Sequence, residues 1–487
     1  MSNLSDLLPS GGGGSQVDFV ASGTIGNGAT VILNSNGTVS VVAAIEGITV
    51  GTPAVFESAT SNYISATFDT NSNKVVIAYM DAGNSNYGTA AVGTVSGTSI
   101  SFGTPVVFNS GVYTQFSVAT FDSNSDKVVI AFYDGGNSGY GTAIVGTVSG
   151  TSITFGTKVV FDSGSTTAIS ITFDSTNNKV VIVYSDGNNG TSGTAIVGTV
   201  SGTAISFGTS AVFNQNTDKT VVTFDSNSSK VVIAFRDVTG SYYLAAIVGT
   251  VSGTSISFGS KVVFETSAFS DSLSTVFDST NNKIVIAYSD AGNSNYGTAI
   301  VGTVSGTGIS FGTPVVFDNS GATSYTAVNH DTYSGKTVVF YRDGGNSGYG
   351  TAIVGTVSGT GATGTISFTS PTVFESANTN YIAATFDTAN NTTVIAYKDS
   401  GNSSYGTAIT FATKSSNFAS FIGISDAAIS DTATGSVTIK GGVSTNVTSL
   451  TAATDYYVQA DGSISATVSA VPAGKALSAT SILLKGI

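Results

Sequence analysis

Residues 79–108 read "YMDAGNSNYGTAAVGTVSGTSISFGTPVVF". The stretch returns almost unchanged at 132–161, "FYDGGNSGYGTAIVGTVSGTSITFGTKVVF", and at 288–317, "YSDAGNSNYGTAIVGTVSGTGISFGTPVVF". Two anchors count the copies outward from it. One is the Asp that ends the first strand of each copy: Asp69, Asp122, Asp174, Asp225, Asp278, Asp331 and Asp387. The other follows the next strand: Asp81, Asp134, Asp186, Asp237, Asp290, Asp343 and Asp399. Seven copies at a period of about fifty residues mark a repeat architecture.

Each copy reads as four strands. In the first they are "NYISATF" (62–68), "KVVIAYM" (74–80), "GTAAVGTV" (88–95) and "ISFGTPVVF" (100–108). The runs are β-branched and aromatic, and Gly, Asn, Asp and Ser punctuate them. In "DTNSNK", Asp69 is expected to accept backbone amides two residues on. In the loop after the second strand, Asp81 is expected to do the same and Gly83 to take positive φ; Gly97 should do so in the "SGTS" turn. Four antiparallel strands per repeat predict an all-β chain folded as a seven-bladed β-propeller, with an open β-solenoid as the rival. Copy seven lacks its fourth strand after "YGTAITFATKSSNF" (405–418), while "ITVGTPAVF" (48–56) supplies one ahead of copy one. The expected propeller is therefore closed by an N-terminal strand, which also covers an exposed edge.

Composition narrows the function. The chain has 487 residues, 9% charged and 41% hydrophobic, with a net charge of −13. It has no basic cluster, so a nucleic-acid partner is not expected. With no cysteine, it has neither disulfides nor thiolate metal sites. No apolar run approaches a membrane span, and "MSNLSDLLPSGGGGSQ" lacks the pattern of a signal peptide.

The repeats occupy 46–418. Residues 1–15 read as a flexible N-terminal arm around "SGGGGS". Residues 16–45 and 419–487 are non-repetitive β segments, each small for an independent core. They are expected to form one small split β-domain into which the propeller is inserted.

Chemistry-bearing residues are few. The only arginines are Arg236 and Arg342, the only histidine is His330, and the glutamates are Glu46, Glu57, Glu265 and Glu375. Convergent acid–base carboxylates are not expected from repeat-related turn residues, so no catalytic residues are assigned. Calcium needs several carboxylates, and each "D-x-G-N-S-x-Y-G-T" loop offers one; no metal and no cofactor are assigned. The connections between one copy's fourth strand and the next copy's first vary most. With the irregular "RDVTGSYYLAA" (236–246) of copy four, they gather candidate binding residues on one face: Tyr63, Tyr113, Arg236, Tyr242, Tyr243, Phe269, Tyr325 and Tyr381. Aromatic rings with polar tips suit glycan or protein recognition.

The flanks carry a resemblance. "MSNLSDLLP" with "GTIGNGATVILNSNGTV", and the ending "FIGISDAAISDTATGSVTIKGGV" with "TDYYVQADGSIS" and "AGKALSATSILLKG", resemble virion structural and tail-fibre-like proteins of marine tailed bacteriophages. The repeats resemble kelch-like and sialidase-like propellers in fold, and the Asp loops resemble the Asp-box turn. The resemblance implies a non-enzymatic virion component made in the host cytoplasm: an appendage, a decoration or a tail fibre. Its partners would be other virion proteins, held through the flanking β-domain and the arm, as a homo-oligomer in the particle. One propeller face would bind a host surface glycan or receptor. The alternatives are a bacterial cell-surface lectin or adhesin and a glycan-degrading propeller enzyme.

Overall fold

The computed structural model describes residues 16–485 apart from 35, 43, 112, 240–241, 267–271, 360–363, 417–419, 460 and 470. The arm 1–15 and Phe269 lie outside the described residues. The chain divides into two compact units. One comprises 1–48 with 414–487, and the other runs from Thr49 to Thr413.

The repeat unit is built from strands that bury both faces. In copy two the second strand, Lys127–Asp134, has Val128 to Phe132 fully buried. Val128, Ile130 and Phe132 pack with Val76, Ala78 and Val92 of copy one. Val129 and Ala131, pointing the other way, pack with Val180, Ile182 and Tyr184 of copy three. That is why "KVVIAF" is apolar without alternation: a strand covered on both sides has no polar face.

The turns follow their chemistry. Asp69 Oδ1 accepts the amides of Asn71 (2.9 Å) and Ser72 (3.0 Å), and Asp122 and Asp225 do the same for their own turns. Gly97 takes φ +59°. The Asp81 loop differs from expectation. Asp81 does accept the amides of Gly83 and Asn84, but Ser85 and Asn86 hold the positive φ. Gly83 is needed because a Cβ there would run into Ala59.

The fourth strand is two pieces, as in Ser152–Phe155 and the start of Val159–Asp174, both paired with Tyr140–Ser149. The break falls at Gly156, where a Cβ would collide with the carbonyl of Thr203 in the next repeat's turn. Beyond the break the second piece runs on. Ala54–Asp69, Val159–Asp174 and Thr372–Asp387 each continue for 16 residues from the outside of one repeat into the first strand of the next.

This continuity corrects the expected architecture. The chain is all-β, but no sheet among the described residues closes on itself or curls into a barrel or propeller. The repeats form open antiparallel sheets of 9, 5, 5 and 13 strands. The N-terminal strand joins rather than seals. Ala54–Asp69 pairs with Tyr405–Ser416 on one side and Lys74–Asp81 on the other, making copies six, seven and one a single 13-stranded sheet. Where an outer strand becomes the next inner strand, hydrogen bonding runs across repeats instead of ending at each. The first strands of the seven copies neighbour one another in sequence order, and that of copy seven neighbours that of copy one.

In the other unit, Gln16–Val20 pairs with Thr434–Ile439, and Thr30–Leu33 with Phe421–Ser425, in a sheet of five strands. Ile32 and Val42 share a core with Phe421, Ile424 and Val458. A second five-stranded sheet is built from 443–484 alone.

Candidate functional site

The two ends of the first strands differ in chemistry. At the end nearest the anchor Asp residues, Thr67 and Phe68 are repeated as Thr120–Phe121, Thr172–Phe173, Thr223–Phe224 and Thr385–Phe386, with Val276–Phe277 in copy five. These residues line one cleft of about 450 Å³. Copy six departs, with His330 in place of Phe. His330 is 5% exposed, its Nε2 lies 3.1 Å from Thr280 Oγ1 and 3.5 Å from Asp278 Oδ1, and burial pushes its pKa down. These neighbours fit a packed polar substitution.

The opposite end is diversified. The residue before the second anchor is Met80, Tyr133, Ser185, Arg236, Ser289, Arg342 or Lys398 from copy one to copy seven. Beside it, in copies one, two, three, six and seven, the first strand carries a β-bulge. Each bulge places one residue at φ near +50°: Tyr63, Phe116, Ala168, Tyr325 and Tyr381. Large side chains rarely adopt this backbone, which costs on the order of 1–2 kcal/mol. Ala168 shows that the bulge itself needs no ring.

Four of these residues come together. Centroid separations are 5.3 Å for Tyr325–Tyr381, 5.3 Å for Tyr381–Tyr63 and 5.2 Å for Tyr63–Phe116, with planes tilted by 52–54°. The result is an aromatic arc across four neighbouring strands, with Tyr325 38% exposed. Polar groups stand along it. Lys398 Nζ lies 5.9 Å from the Tyr381 ring centroid and donates to Asn62 Oδ1 at 3.0 Å. Arg342 Nε donates to Asn378 Oδ1 at 2.8 Å. Burial and then the neighbouring tyrosines push Tyr381 up to about 12, and the same causes raise Tyr63. Burial lowers Lys398.

Of the residues picked from sequence, Tyr63, Tyr325 and Tyr381 therefore meet. Tyr113 stacks instead on Tyr133 at 5.9 Å. Arg236 is 5% exposed and held by Asp218, with Nε donating at 2.6 Å, so its guanidinium is engaged within its own repeat. Tyr242 lies over it at 5.7 Å and is 46% exposed, and Tyr243 begins the strand Tyr243–Ser252. Phe116 escaped the sequence reading, although it stands six residues before its anchor Asp, as Tyr63, Tyr325 and Tyr381 do. Aligning the copies on that Asp would have found it.

Among the described residues, no three His, Cys, Asp or Glu side chains group to hold a metal. No helix of theirs is long and apolar enough to cross a membrane.

No protein-family model and no curated protein matches the chain. Solved structures do. The BP39L lectin from Burkholderia pseudomallei aligns at 12% identity and a TM-score of 0.50, over 71% of this chain and 94% of that one. Extracellular domains 1–2 of Drosophila Semaphorin 1b align at 11% identity and 0.43, over 75% and 87%. AofleA from Arthrobotrys oligospora aligns at 13% identity and 0.39, over 69% and 92%. Identities this low bear on fold alone.

The expected kinship with bacteriophage virion proteins is not upheld: the fold likeness at a TM-score of 0.50 is to a protein described as a lectin. The virion location, the tail-fibre and host-attachment role, the virion partners and the homo-oligomer in a particle fall with it. The physical reason is that the flank patterns are short strands around tight turns, such as Asn36-Gly37, which any small β module uses.

Proposed function

We propose that this is a non-enzymatic carbohydrate-binding protein of lectin or adhesin type, with the aromatic arc as its recognition surface. One observation carries the reading. Tyr325, Tyr381, Tyr63 and Phe116 form a continuous arc from strained bulge positions, while Ala168 shows that the fold tolerates a small residue there. Strain retained at a surface points to a use for the rings. Aromatic faces cover the apolar C–H face of a sugar, and the Lys398 ammonium, the Arg342 guanidinium and the Asn62 and Asn378 amides supply directional hydrogen bonds. Beside burial, the groups that raise Tyr63 and Tyr381 are other tyrosines, and no carboxylate is among them. The arc thus offers stacking area and donors in place of the separated acid and base that glycoside cleavage needs. The fold likeness to a protein described as a lectin supports the same reading.

The test is a glycan array on the full chain, followed by calorimetry with the best ligand. Tyr63→Ala and Tyr381→Ala should each weaken binding about 30-fold, the loss of roughly 2 kcal/mol typical of a central aromatic anchor. Tyr113→Ala and Tyr242→Ala should change it less than threefold. A chain that binds no glycan, or arc variants that bind as the parent does, would overturn the reading.

A further inference from the structure

The seven Asp residues after the second strand are identical in sequence but stand in two kinds of surroundings. In copies two and four the facing residue on the preceding outer strand is Asn109 or Asn214, and a lysine sits between the two groups. Lys158 Nζ lies 2.6 Å from Asn109 Oδ1 and 2.8 Å from Asp134 Oδ2. Lys261 Nζ lies 3.0 Å from Asn214 Oδ1 and pairs with Asp237 Oδ2. The buried ring two residues before the Asp is then phenylalanine, Phe132 or Phe235.

In the other five copies all three positions change together. The facing residue is an acid: Glu57, Asp162, Glu265, Asp318 or Glu375. The buried ring is a tyrosine: Tyr79, Tyr184, Tyr288, Tyr341 or Tyr397. The lysine position holds Pro105, Ser210, Pro314, Pro371 or Pro53. Each of these sites exchanges a balanced set, one ammonium and one carboxylate, for two carboxylates, a change of two negative charges. Two carboxylates held together need a compensating cation or proton.

The tyrosine hydroxyl supplies a second observation. Tyr79 donates to Glu57 Oε2 at 3.0 Å and Tyr397 to Glu375 Oε2 at 2.9 Å. Tyr288, at the same repeat position and fully buried, feels the charges of Glu265 and Asp290, yet its hydroxyl has no hydrogen-bond partner. A buried hydroxyl without a partner is costly, and its lone pairs can serve a cation. Asp81, like Asp134, spends Oδ1 on turn amides. In copy two that arrangement leaves Oδ2 to the ammonium.

We propose that the five carboxylate pairs are calcium sites, each seating the ion where Lys158 and Lys261 seat an ammonium in the remaining two copies. Two carboxylates and a tyrosine hydroxyl, with water completing the shell, make a weak site, in the range of about 10⁻⁴–10⁻³ M typical of extracellular modules. The sequence hides such a site because the loop offers one acid, and the second arrives from a strand more than twenty residues away.

Terbium luminescence tests this directly. The chain has no tryptophan and 20 tyrosines, so a lanthanide is sensitised only through tyrosine. The full chain titrated with Tb³⁺ at neutral pH should give saturable luminescence that Ca²⁺ displaces, and Ca²⁺ alone should raise the thermal midpoint. The triple variant Glu57→Asn/Tyr79→Phe/Pro105→Lys installs a set that copies two and four already carry, and should remove about one fifth of the signal. The reverse set, Asn109→Glu/Phe132→Tyr/Lys158→Pro, should add a comparable increment. Parent protein that gives no displaceable luminescence and no Ca²⁺ effect overturns the proposal, as does a folded triple variant that keeps the full signal. A thermal midpoint that follows pH but ignores Ca²⁺ also overturns it, because the pairs would then hold protons.

Discussion

If the second strand of each repeat is buried on both faces, two adjacent truncations should both be expensive. Ile130 and Val129 are each fully buried, Ile130 against copy one and Val129 against copy three. Ile130→Ala removes three carbons from a packed core. At about 0.8 kcal/mol per buried methylene plus a cavity term, the cost is about 3 kcal/mol. Val129→Ala removes two carbons and should cost about 2 kcal/mol by the same reckoning. Urea unfolding followed by tyrosine fluorescence reads both, with the slope unchanged if only stability moves. In a sheet with one wet face, neighbouring residues point to opposite environments and one of the pair would be nearly silent. A cost below about 0.5 kcal/mol for either variant would refute the two-sided packing, and with it the explanation of the unbroken apolar run.

Acidification should stabilise the repeat unit in EDTA. Glu57, Asp162, Asp290 and Glu375 are all raised, first by burial and also by the carboxylate each one faces. The native state then binds more protons than the unfolded chain. This stabilisation is full below the unfolded carboxylate range and is lost as pH rises through the raised values. His330 opposes it: its pKa is lowered by burial, so its contribution is lost as pH falls below about 6.5. His330→Phe should therefore gain more stability between pH 7 and 5 than the parent, by thermal or urea unfolding; an equal or smaller gain would contradict the His330 assignment, and a variant that gains none on acidification would contradict that of the carboxylates. Gly156→Ala should destabilise by more than 1 kcal/mol, since its Cβ would meet the Thr203 carbonyl; Gly150→Val, at φ +60° with open space around it, should cost about as much through backbone strain alone. Wild-type midpoints for either variant would rule out these backbone arguments.

The aromatic arc shows where sequence reading reached and where it stopped. Tyr63, Tyr325 and Tyr381 could be picked out because they are large rings in the most variable connections. That they touch could not, because 56 residues separate Tyr325 from Tyr381 and more than 300 separate Tyr381 from Tyr63. In the sequence Arg236 is one of the candidate binding residues of the variable connections. Only the packed strand shows that Asp218, 18 residues earlier, engages it.

By itself the sequence determined the repeat, its count, the all-β character and the Asp-capped turns. Those features depend on neighbours within about ten residues, where apolar runs, glycines and side-chain acceptors act directly on the local backbone. Tertiary structure decided the rest. It set whether an outer strand stops or runs on into the next repeat, which joined copies two and three, and copies six, seven and one, into open sheets and left copies four and five as sheets of their own. It also decided which second carboxylate meets each loop Asp and which rings share a surface. The physical reason is that these depend on hydrogen bonds and side-chain contacts between residues 20 to more than 300 positions apart, a distance over which local propensity carries no information.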